Sequence, residues 1–233
     1  MDLTHKKILI VKLRYIGDTL SIVPVVENLT RLAPGTAVDV LVKRGTESVL
    51  AYHPEIRAVR VYDYGLVKNG GRKSLAYQAR LFRDLRSAHY DIVIDYTHGD
   101  RAAILCRLTG APVRITHAHA GTLSKRLMNR FVDSDPKTTH IVDHQLASLR
   151  VLGLDGFQRT TSLHVPPIVV QAVDRLVKTA GLHLNRPWVA VHPGARGALR
   201  CWRPERFGEV ARRLAERFEA AVLLMGGPGE GEL

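Results

Sequence analysis

The chain has 233 residues, 45% hydrophobic and 24% charged, a balance typical of globular proteins and too apolar for disorder. No apolar run reaches the roughly 18 residues a membrane span needs, and the two cysteines, Cys106 and Cys201, make neither a disulfide framework nor a metal set. Lys and Arg total 34 against 22 Asp and Glu, so the formal charge of +12 favours anionic partners: nucleic acid, acidic lipid or phosphorylated small molecules. Aromatic residues are 6% and the basic residues are spread out, which argues against a nucleic-acid module with its clustered charge and interleaved rings.

From the N-terminus, basic residues precede an apolar stretch in MDLTHKKILIVKL, as in a signal peptide, but the run is short and lacks a small-residue cleavage site. Lys7–Leu13 is therefore expected to be a first strand and the protein cytoplasmic. Thr19–Leu32 has the wider apolar spacing of an amphipathic helix, Ala37–Val42 reads as a second strand and Glu47–Tyr52 as helical. Ala58–Tyr62 is a third strand, and Ser74–Ala88 a long helix with Leu75, Leu81, Phe82 and Leu85 on one face. Asp91–Tyr96 is a fourth strand, Arg101–Leu108 a helix ending at Gly110, and Val113–Thr116 a short fifth strand. His117–Pro136 has poor periodicity and is expected to mix helix and loop; His140–Leu152 is helical and closes at Gly153. This alternation predicts a parallel sheet covered on both faces.

A double proline, Pro166-Pro167, ends the extended segment that begins at Leu163. Beyond it lie helix Ile168–Ala180, strand Trp188–His192, helix Pro204–Phe218 and strand Ala221–Met225, too little for an independent doubly wound domain. The expected organisation is an N-terminal Rossmann-like domain over 1–166 and the start of a second, incomplete one over 167–233.

Three loops fall at strand ends, where open parallel sheets bind ligands. The first, Val11–Thr19, holds Asp18 at the rim. Asp18 is either a helix N-cap or a general base, with Lys12 or Arg14 nearby to keep it ionised, and Gly17 would let a substrate approach the backbone. The G-x-G-x-x-G fingerprint of dinucleotide oxidoreductases is absent. The second, His192–Trp202, combines small residues with Arg196 and Arg200 and suits a phosphate cradle, or else is a surface loop with solvated arginines. The third, Gly226–Glu232, is a ribose-binding turn or a frayed terminus. His140 and His144 are spaced i, i+4 and His117 and His119 alternate, but neither pair has the accompanying ligands of a zinc motif, so no metal is expected. Met128 and Trp188 are expected in the core, and Cys201 beside Arg200 is read as a core or loop residue.

KILIVKLRYIGDTLSIVPVVENL, VAVHPGARGALRCWRPERFGEVARRL and LLMGGPGEGE, in that order and spacing, resemble bacterial lipopolysaccharide heptosyltransferases, glycosyltransferase family 9. Asp95–Arg101 (DYTHGDR) further resembles the heptosyltransferase III group. The resemblance implies a GT-B fold of two Rossmann-like domains with the active site in the cleft between them, the first taking the acceptor and the second ADP-heptose. It implies that Asp18 is the catalytic base for inversion by direct displacement. Arg200 stands where the family has a donor-phosphate lysine, Gly194, Ala195 and Arg196 line the phosphates, and Glu232 matches a donor-ribose carboxylate. Gly17 is grouped with the donor contacts, whereas Lys12, Arg14 and Arg101 are expected at the acceptor. No cofactor or metal is implied, since amides and cations neutralise the leaving diphosphate. The resemblance also implies work at the cytoplasmic face of the inner membrane, where the basic surface would dock on anionic lipid. The family's further Asp-Ser/Thr-Gly-x-x-His segment is absent from residues 1–233. The alternative is therefore a truncated, non-catalytic relative that binds only the acceptor or an anionic membrane surface.

Overall fold

The computed structural model describes residues 2–181, 186–195 and 197–227. It divides into two compact units, Met1–Val165 and Pro166–Leu233.

The first unit runs β1 (Lys7–Lys12), α1 (Ile16–Leu20), α2 (Val23–Leu32), β2 (Ala37–Lys43), β3 (Ile56–Tyr62), α3 (Tyr64–Asn69), α4 (Gly71–Ser87) and β4 (Ile92–Asp95). It continues with α5 (Asp100–Leu108), β5 (Val113–His117), α6 (Thr122–Leu127), β6 (Arg130–Val132) and α7 (Ile141–Arg150). The strands form one parallel sheet in the order β3-β2-β1-β4-β5-β6. The chain starts in the middle, winds outward to β3, then returns to lay β4 on the other side of β1. This reversal opens a crevice at the carboxyl ends of β1 and β4, the point where doubly wound sheets place ligands.

The near-continuous apolar strands follow from burial on both faces. In β1, Ile8 and Ile10 face one way and pack with Val25, Val26 and Leu29 of α2 and Leu146 and Leu149 of α7. Leu9 and Val11 face the other way, toward Leu81 and Leu85 of α4 and Ala102, Leu105 and Cys106 of α5. Met128 joins this second layer, 4% exposed. Asp39 interrupts the apolar run of β2, fully buried, and its charge is met by Arg57 Nε at 2.8 Å, Arg60 Nε at 3.3 Å and the Tyr90 hydroxyl at 2.5 Å.

Several elements differ from the sequence expectation. The helix expected over Thr19–Leu32 is two helices, because Pro24 lacks an amide to continue α1 and sits instead in the first turn of α2. Helix α3 was not anticipated; Asp63 starts it by accepting from Leu66 N at 2.9 Å. Only a 3₁₀ turn, Glu47–Val49, forms where a longer helix was expected. Leu75 does not share the buried face of α4 but is 67% exposed, since that face runs through Ser74, Leu81 and Leu85. The indistinct 117–136 stretch contains α6 and β6, the latter three residues long and too short to show a period.

The second unit comprises α8 (Pro167–Thr179), β7 (Trp188–Val191), a 3₁₀ turn at Ala198–Arg200, α9 (Pro204–Phe218) and β8 (Ala221–Leu224). β7 and β8 pair in parallel, Trp188 opposite Ala221 through Val191 opposite Leu224. Trp188 is half-buried rather than a full core residue. Among the described residues, no helix is long and apolar enough to cross a membrane.

Candidate active site

The backbones leaving β1 and β4 are joined beyond the end of the strand ladder. Tyr96 N donates to Val11 O at 2.9 Å, and Leu13 N donates to the Thr97 hydroxyl at 2.8 Å. Arg14 Nη2 closes the set on Thr97 O at 2.9 Å. A hydrogen-bonded two-strand lip results, and a cavity of about 210 Å³ opens beside it, lined by Lys12, Arg14, Tyr15, Asp18, Tyr96, His98, Pro136, Ile141 and His144.

Asp18 does not act as the N-cap. Tyr15 holds that position, and Asp18, three residues on, accepts from Tyr15 N at 3.4 Å through Oδ2. Its other oxygen, Oδ1, stands 3.7 Å from Lys12 Nζ. The Asp18 side chain is 39% exposed and the Lys12 side chain 4% exposed, so the carboxylate meets the cavity and the ammonium lies beneath it. Lys12 Nζ also donates to Tyr96 O at 3.1 Å. Burial pulls the Lys12 ammonium below the usual lysine range, and the Asp18 charge opposes that shift. A Cβ at Gly17 would meet nothing within 4 Å, so the backbone there is open.

Other expected residues fall elsewhere. Arg101 does not line this cavity; its guanidinium lies 4.6 Å above the Tyr64 ring. In the second unit, Gly194 and Ala195 are half-buried, and His192 Nδ1 donates to Gly194 O at 3.0 Å. Arg200 is exposed at the end of a 3₁₀ turn, its amide donating to Gly197 O at 2.8 Å. Cys201 Sγ lies 3.8 Å from both Ala195 O and Gly197 O, and Trp202 packs edge-on against Phe207 at 5.6 Å. Arg196 and Glu232, with most of the Gly226–Glu232 turn, lie outside the described residues.

The sequence shows His117, His119 and His144 only as spaced pairs and does not show that they gather with His98 beside Asp18. Asp95, fully buried at the end of β4, accepts from Thr97 N at 2.7 Å and His98 N at 3.3 Å through Oδ1. Burial raises the Asp95 carboxyl to about 6 despite those amides and the Lys12 charge. This turn holds His98 at a φ of 61°, an uncommon conformation for a residue with a side chain. His98 meets His117 from the end of β5 and His144 from α7. His117 stacks on His144 with ring centres 3.8 Å apart, and His98 Nε2 lies 2.9 Å from His117 Nδ1. Burial, then the neighbouring rings, pushes His98 down to about 2. Burial likewise lowers His117 to about 4. The His140 side chain does not join that of His144: it caps α7, accepting from Val142 N at 3.3 Å.

The sequence pattern of glycosyltransferase family 9 (heptosyltransferase) matches residues 78–233, and the chain belongs to that family. It is 30% identical over 225 residues to lipopolysaccharide heptosyltransferase 3 of Escherichia coli, covering 95% of this chain and 64% of that protein. Its counterpart in Escherichia coli strain K12 is 28% identical over 217 residues, covering 92% of this chain and 61% of the relative. The chain therefore spans under two thirds of these relatives. Among solved structures, a family 9 glycosyltransferase from Veillonella parvula superposes with a TM-score of 0.85 at 23% identity, covering 100% of this chain and 65% of that one. E. coli ADP-heptose lipopolysaccharide heptosyltransferase II gives 0.75 at 19% identity, covering 97% and 66%. E. coli heptosyltransferase WaaC with ADP-2-deoxy-2-fluoro heptose gives 0.65 at 20% identity, covering 97% and 78%. These similarities establish the α/β, GT-B class of fold.

Proposed function

We propose that this chain is an inverting glycosyltransferase that moves heptose from ADP-heptose onto the lipopolysaccharide inner core. The observation that carries this reading is the Lys12–Asp18 pair, a half-exposed carboxylate above a buried ammonium 3.7 Å away, at the crevice between β1 and β4. Family membership supports heptose transfer as the reaction class.

In the proposed step, an acceptor hydroxyl enters the cavity and gives its proton to Asp18. The hydroxyl oxygen attacks the anomeric carbon as the bond from that carbon to the ADP oxygen breaks, and the sugar inverts. ADP leaves with the electron pair of the broken bond. Lys12 is a positioning residue: it holds Asp18 in place and stays anchored by Tyr96 O. Arg14, exposed on the lip, is proposed to contact phosphate on the acceptor, and Arg101 a more distant part of it. Arg200 and the backbone at Gly194 and Ala195, with Arg196 and Glu232, are proposed to take the donor.

The net charge of +12 suits peripheral contact with the anionic cytoplasmic face of the inner membrane, with anionic lipid and phosphorylated sugars rather than nucleic acid as partners.

The test is incubation of the purified chain with ADP-heptose and heptose-bearing core oligosaccharide, followed by mass and anomeric configuration of the product. One added heptose of inverted configuration supports the reading. A product of retained configuration, or no transfer, contradicts it.

A further inference from the structure

The histidines beside Asp18 form a cluster that the proposed transfer does not use. His98, His119 and His144 come from the turn after β4, the segment after β5 and helix α7, and each can place a ring nitrogen within 4.8 Å of the others. The hydrogen bonds around them allow one consistent set of free nitrogens. His117 Nε2 lies 2.7 Å from the carbonyl of His144, an acceptor only, so this nitrogen must carry a proton. In the neutral ring His117 Nδ1 then accepts, and His98 Nε2 donates to it across 2.9 Å. The His98 lone pair is left on Nδ1. His144 Nδ1 lies 2.9 Å from the Ser134 hydroxyl and can donate to it, which leaves the lone pair of His144 on Nε2. His144 is 1% exposed, and its Nε2 is a buried nitrogen without a hydrogen-bond partner among the described residues. Such an atom is costly unless something accepts its lone pair.

The geometry points to a binding site for one divalent transition metal, zinc by preference, held by His98, His119 and His144 beside the Asp18 cavity. Imidazole nitrogens suit zinc and its neighbours, and metal-bound histidines ordinarily donate their second ring proton to an outer partner. His98 does so to His117, and His144 has Ser134 for the same purpose. Zinc–nitrogen bonds of about 2.0–2.1 Å bring tetrahedral ligands to roughly 3.4 Å from one another, so the rings must close slightly on the ion. His119 is exposed and free to make most of that movement. Three protein ligands leave a fourth position for water or for an anionic oxygen of a molecule in the cavity. Lys12 lines the same cavity as a competing cation, but its ammonium is already engaged by Tyr96 O and Asp18.

A second group, Glu27, His53 and His164, has equally close donor atoms but a different hydrogen-bond pattern. His53 Nδ1 accepts from Glu55 N at 3.3 Å, which leaves the ring proton on Nε2, 3.6 Å from Glu27 Oε1. That arrangement is a histidine–carboxylate contact with its lone pair already used.

The metal site stands independently of the transfer reaction, and its test reads binding alone. The purified chain, stripped with a chelator and dialysed, is titrated with Zn²⁺ against a chromophoric competitor, and with Co²⁺ followed by its visible absorption. One equivalent of Zn²⁺ and a tetrahedral Co²⁺ spectrum are expected. His119→Ala, an exposed position with little risk to folding, should weaken Zn²⁺ by more than the roughly 10–100-fold typical of losing an outer-shell partner. His164→Ala in the second group should change neither. Absence of a stoichiometric site, or one lost in His164→Ala and kept in His119→Ala, overturns the assignment.

Discussion

Lys12 Nζ stands 3.7 Å from Asp18 Oδ1, and the lysine is the buried member of the pair. The cation is therefore fixed by the fold while the carboxylate faces the cavity. Replacing Lys12 by Met keeps the unbranched shape and removes the charge, leaving Tyr96 O without this donor. Relief of the buried ammonium offsets part of that loss, so stability should change by no more than about 1–2 kcal/mol in denaturant titration. Transfer should fall by roughly tenfold or more, because Asp18 loses its anchor. Equal transfer in Lys12→Met would remove the positioning role.

Asp39 anchors a separate network on β2. Its carboxylate receives Arg57, Arg60 and Tyr90, and Arg57 and Arg60 are 41% and 28% exposed. Partial solvation of the arginines moderates the cost of deleting their partner, but Tyr90 is buried. Asp39→Ala should destabilise the chain by about 2–3 kcal/mol, read as a lower denaturant midpoint. Asp39→Asn should fall between it and the wild type.

Asp95 gives stability a pH dependence of predictable sign. Its folded value of about 6 lies above the unfolded value, so the folded chain binds the extra proton between the two. Its stabilising contribution is fully present below about pH 4 and is lost as pH rises through 6, a change of about 3 kcal/mol. Asn preserves the acceptor for Thr97 N and His98 N but cannot titrate. The stability difference between wild type and Asp95→Asn should therefore shift by that amount between pH 4 and 7, favouring the variant at the upper end. A pH-independent difference would show that Asp95 titrates normally.

The proposed donor contacts predict a response to ADP. Saturating ADP should raise the melting temperature, and a hundredfold excess over Kd corresponds to about 2.7 kcal/mol. Arg200→Ala removes an exposed guanidinium and should weaken ADP by roughly tenfold or more in calorimetric titration, with the protein's own stability unchanged. ADP binding that ignores this substitution would place the diphosphate elsewhere.

Much of the fold was legible because the doubly wound pattern is local. The alternation of Ile8 and Ile10 against Leu9 and Val11, followed by a helix, signals a strand buried on both faces. Asp18 was legible for the same reason, since it follows a strand end by a few residues. The histidines were not, because their relationship lies in strand order. His98 and His117 are 19 residues apart in sequence, and β4 and β5 bring them together only by lying side by side. His144 is visible in sequence mainly as a spacing with His140, which capping turns to another use. Pro24 did carry a readable signal, since a proline five residues into an expected helix marks a new first turn.

The most direct test is the rate of heptose transfer by the wild-type chain and by Asp18→Asn, with ADP affinity measured alongside. Loss of a general base should lower kcat by about 10²–10⁴-fold, with ADP binding and melting temperature unchanged. Transfer by Asp18→Asn at the wild-type rate would contradict the assignment of Asp18 as the base.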